Sequence, residues 1–153
     1  MREAMGGTWL LGLVLPFIVF FASFLAISIN YAKAFNVKNN IVDLISKYEG
    51  NNCNSRKKIA EYLQDVGYLV PGKCPTGYDG YGLDAAKLPS GNKAYFCLDK
   101  DETAGTTVID KSYYSVLVFF RIDLPLVGDI TTFNIKGETE SIYYPNDDTS
   151  TSC

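Results

Sequence analysis

The chain has 153 residues, a formal charge of −3 and no histidine, which is room for an anchor and one small domain. An acidic isoelectric point near 4.9 and scattered lysines and arginines give no electrostatic footprint for nucleic acid and no polybasic membrane stretch. Without histidine the commonest general base is missing, and so is a frequent zinc ligand.

The mean hydropathy of +0.02 conceals an asymmetry, because the apolar excess sits at the start. No charge interrupts Trp9 to Ile29 (WLLGLVLPFIVFFASFLAISI), enough for roughly 30 Å of helix, the thickness of a bilayer's hydrocarbon core. The run is apolar all round, unlike the one-sided helix of a soluble domain. Pro16 is tolerated as a kink in lipid, and Trp9 and Tyr31 suit the two interfaces. Three fates lead to different functions: a permanent anchor, a secretory signal cut at Ala32-Lys33-Ala34, or a leader cut near Gly6-Gly7. Length weighs against a secretory signal, whose apolar core normally runs to about 7–15 residues. In addition, Ala34, Val37, Ile41, Leu44 and Tyr48 recur at spacings of 3, 4, 3 and 4, the seam of an amphipathic helix. With no Gly or Pro between Phe17 and Glu49, one helix is expected to pass unbroken from lipid into water. Arg2 favours an inside N-terminus and Lys33, Lys38 and Lys47 oppose it, so the cysteines decide.

Cys53, Cys74, Cys97 and Cys153 all follow the span, and none forms a CxxC pair. Two structural disulfides in an oxidising exterior are expected, against the alternative of free thiols in a reducing compartment. Three connectivities are open. Cys74–Cys97 is favoured because it would close the Gly-rich loop between them, and the terminal Cys153 is the first candidate to stay unpaired.

Gly50-Asn51-Asn52 breaks the long helix. Asn54 or Ser55 is expected to cap a second helix reaching Val66, with Gly67 as its C-cap. Ile59, Leu63 and Val66 form its apolar face, and Arg56, Lys57, Lys58, Glu61 and Asp65 are expected in water. Val70 to Asn92 reads as an ordered loop. Strands are expected over Ala94–Leu98, Thr106–Ile109 and Tyr113–Ile122. The turn Leu124–Gly128 follows, then Ile130–Ile135 and Glu138–Tyr144, with a bulge at Gly137. The polar tail from Pro145 is expected to fray. The fold class is therefore α+β, a long N-terminal helix packed on a small antiparallel sheet. Its divisions are a short N-terminal segment 1–8, a transmembrane helix 9–30, an amphipathic continuation 31–49, an extracytoplasmic domain 50–144 and a tail 145–153.

Catalytic chemistry is not legible. Asp79, Asp84, Asp99, Asp101 and Glu102 do not follow calcium-loop spacing. Gly77, Gly80 and Gly82 lack the Lys-Ser/Thr of a phosphate loop and read as turn glycines. The chain is read as a non-enzyme without metal or cofactor. Tyr78, Tyr81, Tyr95, Tyr113, Tyr114, Tyr143 and Tyr144 are expected mostly in the core or in cross-strand pairs, or else on a ligand-contacting face.

Gly7, the LVLP of Leu13 to Pro16, the run to Ile29, Tyr31-Ala32-Lys33-Ala34-Phe35 and Asn39-Asn40-Ile41 resemble the start of a type IV pilin, and more narrowly of the TadE-like minor pilins (pseudopilins) of tight-adherence systems and Gram-positive mobile elements. Arg121-Ile122-Asp123-Leu124-Pro125-Leu126 followed by Ile135-Lys136-Gly137-Glu138-Thr139 is similar to that family's strand–turn–strand ending. The likeness covers the first 45 residues and the last 30 or so. Pilins carry a glutamate early in the apolar helix, whereas Thr8 to Gly12 has no acid here. The resemblance implies a pilin-like component of a surface pilus, secretion or conjugation apparatus, anchored in the membrane with its domain outside the cytoplasm. The implied partners are membrane lipid and other pilin-like or secretion-system membrane proteins, in homo- or hetero-oligomers through the helix. Gly12, Ala22, Ser23 and Ala26 are the candidate packing surface. The competing expectation is a membrane-tethered binding module whose Tyr78–Leu83 loop, with Tyr78 and Tyr81, contacts a ligand.

Overall fold

The computed structural model describes residues 2–102, 111–124, 128–148 and 153. One helix, α1 (Arg2–Lys47), absorbs the first three divisions read from the sequence, with Pro16 inside it. Gly6 and Gly7 fall in its first turns. Its second half packs on the domain through Ala34, Val37, Ile41 and Ile45, all fully buried. The seam thus runs 3, 4, 4 and turns on to Ile45, while Leu44 and Tyr48 stay at its margin. A helix lying on a flat sheet keeps the 3.6-residue period, without the tightening to 3.5 of a coiled-coil seam.

After Lys47 the chain reverses, with Glu49 at φ 56° and Gly50 at φ 134°. Helix α2 (Cys53–Asp65) is capped by Asn52, ahead of both expected caps. Asn52 Oδ1 accepts from Ser55 N (2.9 Å) and Ser55 Oγ accepts from Asn52 N (3.1 Å), a reciprocal box that uses two helix-start donors. Gly67, at φ 64°, closes the helix as expected, with Tyr68 N–H donating to Leu63 O at 2.9 Å. Ile59 and Leu63 are buried, but Val66 is exposed and Arg56 is among the most buried side chains. Both of these reverse the pattern expected from the sequence.

The expected loop 70–92 contains short strands β1 (Gly72–Lys73), β2 (Asp79–Tyr81) and β3 (Lys87–Leu88). Then come β4 (Lys93–Ala94), β5 (Phe96–Glu102), β6 (Lys111–Leu124), β7 (Gly128–Glu138) and β8 (Ile142–Tyr143). The main sheet is antiparallel in the order β3-β2-β5-β6-β7, with β8 pairing the start of β6 beyond the end of β7. The expected 94–98 strand divides at Tyr95: Ala94 belongs to a two-stranded β1-β4 sheet and Phe96 opens β5. Thr106–Ile109 and the centre of the 124–128 turn lie outside the described residues.

Strand β6 explains the layering. Tyr114, Val116, Val118 and Phe120 join the core under α1 and α2, while Leu117 and Phe119 alternate to the other face and meet Ala94 and Cys97. A strand apolar on both faces must be covered twice, here by helices and by the β1-β4 layer. Gly72 lies so close to that strand that any Cβ would enter the Phe119 ring. The Cys74–Cys97 disulfide fastens this layer to β5.

Two further expectations are corrected. Gly137 is not a bulge: it pairs with Val116, and the register shift falls between Ile122 and Asp123. Its missing side chain instead admits Lys38, whose Cδ would lie 2.6 Å from a Cβ there. The tail does not fray over 145–148, because Asn146 N donates to Glu49 O (2.8 Å) and Asp148 N to Asn51 O (3.1 Å).

Candidate functional site

Among the described residues, Trp9 to Ile29 of α1 form a long exposed apolar surface. Trp9 to Ile29 carries the exposed large apolar side chains Leu10, Phe17, Phe20 and Phe24 among others, and the helix is long and apolar enough to cross a membrane. In water such a band is costly, at about 25 cal/mol per Å² of apolar surface. Hydrocarbon or another apolar helix removes that cost. Trp9, Leu13, Pro16, Phe17 and Phe20 wall an open groove around Gly12, where a Cβ added to the glycine would meet nothing within 4 Å. At about 100° per residue, Gly12, Ser23 and Ala26 fall within a sector of roughly 60°, with Ala22 about 40° beyond. Ser23 Oγ donates back to Val19 O (2.8 Å) and Ser28 Oγ to Phe24 O (2.9 Å), so neither hydroxyl is left bare in an apolar medium.

At the opposite end of the domain, a polar cluster forms where α2 begins and the tail returns. Arg56 is 1% exposed. Its guanidinium lies 5.5 Å from the Tyr81 ring centroid and 4.0 Å from an Asp148 oxygen. Tyr81, also 1% exposed, stacks on Phe96 at 5.3 Å and accepts a hydrogen bond from Asn51 Nδ2 at 2.7 Å. Asp147 takes three donors: Tyr114 Oη and Asn51 N (2.9 Å) on one oxygen, and Lys100 Nζ (2.9 Å) on the other. A small cavity of about 190 Å³ lies among Asn51, Arg56, Lys100, Tyr114 and Asp147. Its carboxylates and cations already answer one another, so the arrangement reads as a clasp joining α2, β6 and the tail.

The Tyr78–Leu83 segment is not a loop throughout. Asp79–Tyr81 is strand β2, paired on both sides, and Tyr81 is core. Tyr78 is half-buried against the Ala94–Phe119 cluster. Of the other tyrosines, Tyr114 is core and Tyr143 and Tyr144 are exposed. Tyr68, which no sequence pattern singled out, donates to Phe119 O at 2.7 Å, and burial pushes its hydroxyl up to about 12.

Of the four cysteines, Cys74 and Cys97 are bridged as favoured. The second expected bridge is not present: Cys53 and Cys153 are free thiols. Burial and then the neighbouring Cys53 thiol raise the Cys153 thiol, against an opposing pull from Arg56. Among the described residues no three His, Cys, Asp or Glu side chains gather as a metal site.

Asn51, Arg56, Lys100, Asp147 and Asp148 escape sequence reasoning because no local pattern links residues that meet only through the fold. No family model matches the chain, no curated protein matches it, and no solved structure matches it.

Proposed function

We propose that this chain is a pilin-like structural or assembly component of a surface pilus, secretion or conjugation apparatus, held in the membrane by α1 with its sheet domain outside the cytoplasm. One observation carries the reading: a single unbroken helix buries one face against the domain over its second half, while no residue of its apolar run from Trp9 to Ile29 is buried. A helix with that division of labour has lateral packing in lipid as its remaining use, by close apolar contact across small residues. The disulfide between Cys74 and Cys97 suits an oxidising exterior.

The test is photocrosslinking in native membranes from a benzophenone side chain placed at Phe20, in the groove beside Gly12. Adducts with a second copy or another single-span protein are expected, and Ala22→Glu is expected to abolish them. Only lipid adducts, with no change on Ala22→Glu, would defeat the assembly reading. Intact mass of the same material, alkylated before reduction, reports processing: loss of residues up to 6 or 7 means leader cleavage, and loss through residue 34 would remove the anchor and sink the proposal.

A further inference from the structure

Where α1 leaves its apolar run, the fold gathers residues far apart in sequence. Asn30 and Lys33 of α1, residues 67–70 after α2, and Phe120 and Arg121 of β6 enclose a recess of about 190 Å³. Lys33 lies about 6 Å beyond Ile29 along the helix axis. A headgroup layer is about 5–7 Å deep outside each face of the hydrocarbon core, so this recess lies at headgroup depth if the core ends at Ile29.

Its chemistry differs from the rest of this acidic chain. Lys33 and Arg121 line it, and among the described residues no carboxylate does. The Lys33 ammonium lies 5.8 Å from the Tyr68 ring centroid, and Lys33 is exposed. Around it runs an apolar rim: Leu69 is 50% exposed, Tyr31 50% and Phe133 43%. Phe133 stacks on Phe120 at 5.5 Å, and Tyr31 meets Phe120 edge-on at 6.0 Å. Exposed aromatic rings beside cations, at the level where a span ends, match the interface between acyl chains and phosphates.

We propose that this recess binds the phosphate of an anionic phospholipid in the leaflet on the domain's side, with Lys33 meeting the charge and Leu69, Tyr31 and Phe133 lying against the glycerol and upper acyl chain. The inference rests on reading α1 as a membrane span. Bound lipid gives the domain a second hold on the bilayer beside the helix itself. Inorganic phosphate offers the same charge but has nothing to lay on the apolar rim.

The full chain in detergent, titrated with phosphatidylglycerol or phosphatidylcholine and read by native mass spectrometry, tests this. Preferential retention of phosphatidylglycerol is expected, reduced about fivefold by Lys33→Gln. Lys33→Gln alters an exposed side chain, so the fold is expected to survive it. Equal retention of the two lipids, or no effect of Lys33→Gln, overturns the proposal. Displacement of the lipid by millimolar inorganic phosphate would overturn it in favour of a free-anion site. Alkaline carbonate extraction separates the two readings: release of the chain sinks the span and the recess with it, whereas a carbonate-resistant chain without lipid preference sinks the recess alone.

Discussion

Replacing Asp147 with alanine tests the clasp directly. The carboxylate accepts from the Tyr114 hydroxyl, the Asn51 amide and the Lys100 ammonium. Tyr114 is fully buried, so its hydroxyl loses its carboxylate acceptor, at a cost of about 1–3 kcal/mol. The Asn51 amide is part-buried, and losing a charge-assisted bond there costs roughly 1 kcal/mol. Lys100 is about a third exposed and adds under about 1 kcal/mol. The sum is about 3 kcal/mol, or a melting shift near 10 °C for a domain of this size. The assay is thermal unfolding of the full chain in detergent, followed by near-ultraviolet circular dichroism of the tyrosines. Tyr114→Phe should cost less, and the double variant should fall well short of additivity because the same bond is removed twice. A shift for Asp147→Ala no larger than for the exposed Glu140→Ala, within about 0.5 kcal/mol, would refute the view that the tail is structural.

Three other outcomes are expected. Cys74→Ala with Cys97→Ala opens a bridge spanning a sequence separation of 23 and should destabilise the domain by about 3 kcal/mol on the loop-entropy account, read by the same melt. Gly72→Ala drives a methyl into the Phe119 ring and should cost about 1–3 kcal/mol by overpacking, whereas Gly91→Ala, with open space but φ 95°, should show only a backbone penalty. Tyr68 ionises near 10 when unfolded and at about 12 when folded. Its contribution is therefore complete below pH 10 and is lost as pH rises to about 12. Tyr68→Phe should flatten the stability profile in that window, and an unchanged profile would contradict the burial.

The helices are the readable part because their signals are local. An uncharged run of bilayer length and the recurrence of Ala34, Val37 and Ile41 need no knowledge of distant partners. The disulfide is readable for a similar reason, since its loop is short. Arg56 is not. Its neighbours Lys57 and Lys58 are cations like it, and only the return of residues 81 and 148 makes its position interior. The tail misleads on the same ground: Asn51 N and Asp147 lie 96 residues apart, and a polar sequence does not announce which polar groups will find partners. Gly137 looks like a strand defect, but its reason lies across the interface, in the stem of Lys38. The basic recess has no signature either, because Lys33 and Arg121 come from different layers.

The continuity of α1 also has a mechanical meaning. Ala34, Val37, Ile41 and Ile45 fix the sheet to the same rod that holds Trp9 to Ile29, with no flexible joint between them. On the proposal that α1 spans a membrane, any tilt or rotation of the rod swings the domain as a lever arm, and any pull on the domain is felt as torque within the bilayer. An insertion of one residue between Ile29 and Ala34 would re-aim the whole domain by about 100° about the rod.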